Sequence, residues 1–375
     1  MMNHSKTLPE VTTTKDSIRE KLKQLVSLVG VSGSEQEVVK FLKESLSSIS
    51  DEVKVDNSGN VIAVKHGMAA GPKIMVSAHS DEIGLCVKNI LPDGYIAFDK
   101  IGGVSDQLLQ GRKVWITNKK IPGIIGIKAG HMQTPEESRQ VKSSQDCYID
   151  VGAASRKQVE EMGIKIGDAI VFQSDFMEMH NKDLISCKSI DNRINCAILI
   201  ELFSQIKASD FAGTLYGVIT VQEEVGLRGA TMVGNALEPD YAIVLDTIPA
   251  GDTPDIDTEK SLPVYLGKGP ACPVSDSVPG MAFTHIHPKV REMIEEQSEQ
   301  ADVQVQYLTL NGDAYTTDAA NLAVAGKGIP LGVLATPRRY SHSPVELVNL
   351  NDADGVLKIV KGIVEANGNK DLNFI

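Results

Sequence analysis

The chain has 375 residues, 42% of them hydrophobic and 23% charged, proportions that exclude a disordered, collagenous or coiled-coil molecule. A net charge of −12 speaks against a nucleic-acid partner, which needs clustered Lys and Arg, and no run approaches the roughly 20 apolar residues of a membrane span. Single hydrophobic cores stop growing near about 250–300 residues, so an inserted second domain is expected.

The first fifteen residues are polar and lack the apolar stretch of a secretion signal, so the protein reads as cytoplasmic, with a tail before Ser17. Cys86, Cys147, Cys187, Cys196 and Cys272 are odd in number and contain no Cys-x-x-Cys pair. They read as reduced and structural, which leaves any metal to histidines and carboxylates.

Taken in chain order, Ile18, Leu22, Leu25, Val26 and Val29 mark one face of a helix, opened by a Ser17/Glu20 capping box and closed by Gly30. A second amphipathic helix follows Ser34, with Val38, Phe41, Leu42 and Leu46 inward. Residues 61–64 and 74–78 read as apolar strands of a sheet covered on both faces. From 85 to 182 the texture changes to short β runs punctuated by Pro92-Asp93-Gly94, Gly102-Gly103, Pro122-Gly123 and Gly167-Asp168, the signature of an inserted β domain. Helix and strand signals then alternate: a helix over 194–203, strands over 215–221 and 241–245, a helix over 289–300, a strand over 331–335 and a closing helix over 356–366. The division implied is a catalytic α/β domain of residues 1–84 and 183–375 around an inserted domain of 85–182.

Chemistry-bearing residues gather at the ends of these strands. His79 ends one, with Asp81 two residues on, a spacing that suits an imidazole steadied by a carboxylate. An ordinary hydrogen bond is the plainer reading of that pair. Asp191 enters an apolar helix, where an N-cap is the plainer reading. Glu223 and Glu224 follow an apolar strand, and two like charges there call for a cation beside them. Asp246 ends the run 241–245, and His342 follows the strand 331–335. Two histidines and several acids at the carboxyl edge of an open α/β sheet, where ligands bind, form a donor set for paired zinc-like ions, cobalt and manganese included. Two divalent ions would bring four positive charges against three from Asp191, Glu224 and Asp246, leaving one to acidify a bridging water and Glu223 free to carry a proton.

With these motifs in view, the sequence resembles the tetrahedral-assembly di-zinc aminopeptidases, the family that includes glutamyl aminopeptidase. The resemblance runs from GVSGSE (30–35) to HSPVE (342–346), through AHSDEIGL, YIDVGA, IDNR, EEVGLRGA and LGKGP in order. It implies that His79 and Asp246 bind one metal, Glu224 and His342 the other, and that Asp191 bridges them. Glu223 would be the general base and Asp81 the residue that orients His79, and the bond from Asp191 to Asn192 would be cis. The implied fold is a zinc-peptidase-like mixed sheet flanked by helices, with an inserted PDZ-like β-barrel serving oligomerisation, twelve subunits being the family's assembly. The substrates would be peptides, cleaved at their N-termini. Asn192 stands where many relatives carry Asp, and Ser80 where many carry Met or Val.

Rival readings are a dipeptidase or carboxypeptidase of the same metal chemistry, with Arg338 or Arg339 gripping the substrate carboxylate, and an inactive self-assembling scaffold. A glycosidase acid pair at Glu223 and Glu224 fits poorly, because adjacent residues rarely reach the separation of about 5 Å or more that a sugar bond requires. His131, and the pair His285 and His287, read as ordinary histidines, Asp318 as a helix cap. Gly267 and Gly269 lack the setting of a phosphate loop.

Overall fold

The computed structural model describes residues 13–280, 282–312, 315–368 and 371–374. The expected tail therefore lies almost wholly outside the described residues. The first helix, Thr14–Val26, starts four residues earlier than the capping-box reading: Thr13, not Ser17, is its cap, its side chain accepting from Asp16 N. Ser17 instead turns its hydroxyl to Glu201. Ile18, Leu22, Leu25 and Val26 are buried as the spacing demanded.

Four parallel strands form the centre of a large mixed sheet. Ala69–His79 lies between Ala212–Thr220 and Tyr241–Pro249, and Leu331–Arg339 follows on the outer side of Tyr241–Pro249. The burial patterns of these strands are near-continuous rather than alternating, because helices cover both faces. Antiparallel strands extend the sheet: Val61–His66 on one flank, Glu346–Asn349 and Leu184–Cys187 on the other. A further layer, Ala271–Val278, Ala282–His285 and Gln306–Asn311, branches from it; the sequence reading missed these strands, because Pro273 and polar residues interrupt their apolar pattern.

Helix Ile190–Gln205 runs through the middle. It is buried from Ile190 to Phe203, and an all-round apolar helix of this kind belongs in a core rather than on a surface. Thr14–Val26 and Leu350–Glu365 pack against it.

Between the central strand Ala69–His79 and the strand Leu184–Cys187, the chain builds a closed six-stranded antiparallel barrel from Gly84–Ile90, Ile96–Ile101, Lys113–Ile116, Ile121–Ile125, Ile149–Asp150 and Ala169–Phe172. It has a core of its own, including Leu85, Val87, Ile96, Val114, Ile149 and Ile170. The barrel closes with Phe172; Met177–Glu178, inside the span read as the insertion, already pairs with Leu184–Cys187 of the main sheet. None of the five cysteines forms a disulfide, and among the described residues no helix is long and apolar enough to cross a membrane.

Phe203, fully buried on the central helix, tests this division of labour. Phe203→Ala should lower the unfolding free energy by about 3–5 kcal/mol, the usual cost of an aromatic deletion in a core, whereas Ile166→Ala, at an exposed position, should change it by less than about 0.5 kcal/mol. Urea unfolding checks both, and equal losses would contradict the packing described.

Candidate metal centre

The carboxyl ends of the central strands point their side chains at one spot. His79 is the last residue of its strand. Glu223 and Glu224 follow Thr220 by a short turn that Gln222 makes with a φ of 58°. Asp246 lies three residues inside Tyr241–Pro249 rather than beyond it, because the pairing with Leu331–Arg339 continues to Pro249 and Arg338. His342 comes just after that neighbour, at a φ of 55°. Asp191 enters from the start of the buried helix, where Ser189 has a left-handed φ of 51° and the Asp191–Asn192 bond is cis. Asp191 is thus no cap: its carboxylate turns to the cluster.

The separations are short. Asp191 Oδ1 is 3.2 Å from His79 Nε2, and Asp191 Oδ2 is 3.3 Å from His342 Nε2. Asp246 Oδ1 stands 3.6 Å from His79 Nε2, Glu224 Oε2 3.6 Å from His342 Nε2, and Glu223 Oε2 4.0 Å from His79 Nε2. Two donor triads result, His79–Asp191–Asp246 and Asp191–Glu224–His342, sharing Asp191; a third, His79–Glu223–Glu224, overlaps both.

Asp81 sits beneath the cluster. Its carboxylate is 3.4 Å from His79 Nδ1, and its backbone oxygen is 3.2 Å away. The same carboxylate accepts the N–H groups of Glu223 (3.0 Å) and Glu224 (3.1 Å) and the Ser32 hydroxyl. One buried acid therefore steadies the histidine and the glutamate turn together.

Glu346, at the end of HSPVE, carried no role in the sequence reading. Its Oε1 accepts from His342 N (3.0 Å) and Arg338 Nε (3.1 Å), and its Oε2 from Asp191 N (3.1 Å). Arg338 also donates to Asp191 Oδ2. This clamp ties Asp191 to residues 147 and 155 positions away in the chain, and the only sign of it in the sequence was a charged pair bracketing a histidine. Arg339 points elsewhere, to Asp252. Gly103 closes on His342 from the barrel side: a Cβ there would come within 2.6 Å of Nδ1, so a turn signal in the sequence is also a packing requirement.

The remaining candidates scatter. His131 is exposed in a turn of the barrel, His285 is exposed, and His287 caps the helix Pro288–Gln300. Asp318 precedes a short helix without a side-chain capping bond; it accepts from Thr220 Oγ1 at 2.5 Å instead.

The charges are under-compensated. Among the described residues the only Lys or Arg salt bridge into the triads is Arg338 to Asp191. For Asp191, burial opposes ionisation, but Arg338 and the two histidines outweigh it and hold the carboxyl well below its usual range. Burial pushes Glu224 up to about 8, with Asp191 adding to the rise and His342 opposing it. Burial also drives Glu223 well up, reinforced by Asp246, Asp318 and Glu224 against the pull of His79. Burial would strip the proton from His342, yet Glu224 and Asp191 raise it to about 9; His79 moves up strongly in the same way, with Glu223 its largest attraction. Protons stand in for cations here. A nitrogen and oxygen donor set in this state fits zinc, cobalt or manganese, because buried acids with so little positive charge need one.

Two histidines and three carboxylates at the carboxyl edge of a helix-covered sheet, with Asp191 shared by two triads, define a candidate metal centre. Comparison with known proteins narrows it. The family model described as M42 glutamyl aminopeptidase matches residues 59–359. The chain is 34% identical to the lysyl aminopeptidase of Pyrococcus furiosus over 92% of this chain and 96% of that one. It superposes on an aminopeptidase from the archaeon Desulfurococcus kamchatkensis with a TM-score of 0.88, 32% identity and coverage of 95% and 96%. The TET1 peptidase of Pyrococcus horikoshii, described as assembling into a tetrahedron or a large octahedral shell, gives 0.80, 29%, 92% and 99%. The chain belongs to the M42 glutamyl aminopeptidase family and is a peptidase.

The Glu224 carboxyl and the His342 imidazole are both shifted upward, so the folded metal-free chain binds protons at these groups more tightly than the unfolded one and its stability falls as pH rises. The His342 contribution is complete below the ordinary 6.5 and gone above about 9; loss of the Glu224 proton near 8 acts in the same direction. With chelator present, the melting temperature should drop between pH 6.5 and 9, and excess zinc should flatten that drop. A flat profile in chelator would contradict the cluster's electrostatics.

Proposed function

We propose that the chain is a di-metal aminopeptidase that removes the N-terminal residue of peptides, with Glu223 as the general base. The observation that carries this reading is the double contact of Asp191, one oxygen towards His79 and the other towards His342. A carboxylate so placed suits a bridge between two ions, one held with His79 and Asp246, the other with Glu224 and His342. Bound ions would polarise the scissile carbonyl and lower the pKa of water at the site.

The protein's own groups supply the rest. Asp81 holds the His79 ring and the Glu223–Glu224 turn in place, so the donor atoms are set before substrate arrives. Glu223 stands beside the other acids, its Oε2 4.0 Å from His79 Nε2, with its proton affinity raised by burial and by neighbouring acids. A base of that kind takes the proton of the attacking water at Oε2 and returns it to the leaving amine. The cavity in front, of about 430 Å³, is lined by the cluster together with Leu227, Thr247, Pro249, Tyr315 and Arg338, room for one residue of a peptide and part of the next.

The gripping arginine of a carboxypeptidase is less well supported. Arg339 is taken up by Asp252, and the Nε–Nη2 edge of Arg338 is spent on Glu346 and Asp191.

Glu223→Gln removes the proton carrier and keeps the shape. Its kcat on an aminoacyl-anilide should fall by roughly 10²–10⁴-fold, the usual worth of general base catalysis, with zinc stoichiometry unchanged by elemental analysis. Near-wild-type turnover, or equal cleavage of N-acetylated substrates, would contradict the assignment.

The same reading extends to a homo-oligomer assembled through the inserted barrel, in a cytoplasmic setting that suits unpaired cysteines. The barrel exposes Ile124, Ile127, Met132 and Val141 to between 54% and 63%, an apolar patch of the kind that marks an interface. Ile127→Glu combined with Met132→Glu should reduce the mass found by light scattering, with the melting curve of the barrel-bearing chain retained. An unaltered mass would move the interface elsewhere.

A further inference from the structure

The segment GVSGSE, residues 30–35, carries no step of the chemistry above, yet it meets the turn that bears Glu223 and Glu224. A parallel bridge between Val31 and Glu82 fixes its course, with Glu82 N donating to Gly30 O at 3.0 Å and Ser32 N to Glu82 O at 3.2 Å. Ser32 gives its hydroxyl to Asp81. Gly33, at a φ of 86°, then makes a tight turn in which Ser34 N donates to Val31 O at 2.7 Å.

Glu35 ends the segment in the N-cap position of the helix Gln36–Ser47, but its side chain makes no capping bond. Its Oε1 instead accepts the backbone N–H of Gln222, 187 positions on, at 3.1 Å. The next two N–H groups, of Glu223 and Glu224, go to Asp81 at 3.0 and 3.1 Å. Two carboxylates therefore hold three successive N–H groups, the concave arrangement that suits an anion. Gln222 has the left-handed φ of 58°, which a residue with a side chain keeps only where its surroundings impose it. Glu35 itself is buried, at 5% exposure. Burial pushes its carboxyl up and Asp81 adds to the rise, while the backbone N–H groups of Gly33, Glu35 and Gln222 oppose it. Stability alone disfavours an acid in that place, so its presence points to what it holds.

We propose that Glu35 is a positioning residue for the general base: its bond to Gln222 N fixes the left-handed turn that aims the Glu223 carboxylate into the cavity. This rests on the reading of Glu223 as that base. Asp81 grips the turn only from Glu223 onwards and leaves the rotation at Gln222 to Glu35. Without Glu35, Gln222 N loses its acceptor, and nothing then opposes the return of Gln222 to an ordinary φ, which would carry Glu223 with it. A misplacement of about 1 Å in a catalytic group lowers the rate by on the order of 10²-fold. Glu35 lies outside the lining of the cavity and takes no part in bond breaking.

The test combines kinetics with amide hydrogen exchange. Glu35→Ala should lower kcat on an aminoacyl-anilide by roughly 10- to 100-fold, with KM and zinc stoichiometry within about twofold of wild type. Glu35→Gln, which keeps an acceptor oxygen for Gln222 N, should restore kcat to within a few-fold. In the metal-free protein Glu35→Ala should speed exchange in the peptide covering 221–227 and leave the strand Ala212–Thr220 as protected as before. Added to Glu223→Gln, Glu35→Ala should lower kcat by less than about threefold further, because residues that act as a unit are not additive. Unchanged kcat in Glu35→Ala, a loss carried by KM or zinc content, faster exchange throughout the chain, or a full further loss in the double variant would overturn the role of Glu35 and leave the base standing. Near-wild-type turnover of Glu223→Gln would instead remove the reading on which it rests. Should Glu35→Ala not fold, Glu35→Asp decides: it keeps the charge but falls short of Gln222 N by one methylene, and the same loss in kcat at constant KM is expected.

Discussion

The structure depends on holding several buried carboxylates together. Two unit charges about 4 Å apart repel by about 4 kcal/mol at the effective dielectric of a protein surface, and more in the interior. Asp81, Asp191, Glu223, Glu224 and Asp246 nevertheless converge, all but Glu224 nine-tenths or more buried by whole-residue exposure. What makes this bearable is the Arg338 guanidinium on Asp191, the pair of imidazoles, one on each oxygen of Asp191, and backbone N–H groups as neutral donors: Glu223 and Glu224 N to Asp81, Asp191 and His342 N to Glu346. A cation is the natural completion of such a nest, and family membership agrees with the electrostatics on this point.

Rigidity around the nest comes from four parallel strands whose carboxyl ends share one edge. Each delivers one side chain or the turn that carries it, and the fully buried helix from Ile190 delivers the fifth. Further support lies out of sight of the cavity. Lys188 and Arg193 both engage Glu82 in the interior, and Arg193 also reaches the backbone oxygens of Leu25 and Ser80. Buried ion pairs of this sort add little net stability; here they tie the start of the Asp191 helix to the segment that follows His79, so two donors move as one body.

The barrel is connected to the same point. It leaves the sheet within five residues of His79, at Gly84, and Gly103 from its second strand's exit packs against His342. The inserted domain thus meets the cluster directly, with Gly103 bounding the space around the His342 ring.

The sequence by itself determined the alternation of helices and strands, the presence of an insertion, and the identity of the acids and histidines at the strand ends. Strand burial and strand-end polarity are local properties, and a sheet covered on both faces writes them plainly as apolar runs that stop at charged residues. The Ser17 cap and the extent of the strand carrying Asp246 were misjudged, because caps and strand ends are decided by partners: Thr13 competes for the first, and continued pairing with residue 338 lengthens the second. Glu346 had no legible role, and Arg338 was read only as a rival enzyme's carboxylate grip, since both act on Asp191 far away in the chain, and no spacing announces a hydrogen bond across 147 or 155 positions. Tertiary structure alone decided which charges face each other. That is the physical reason: like charges gather only where a whole fold encloses them, and enclosure is not a property of any one segment.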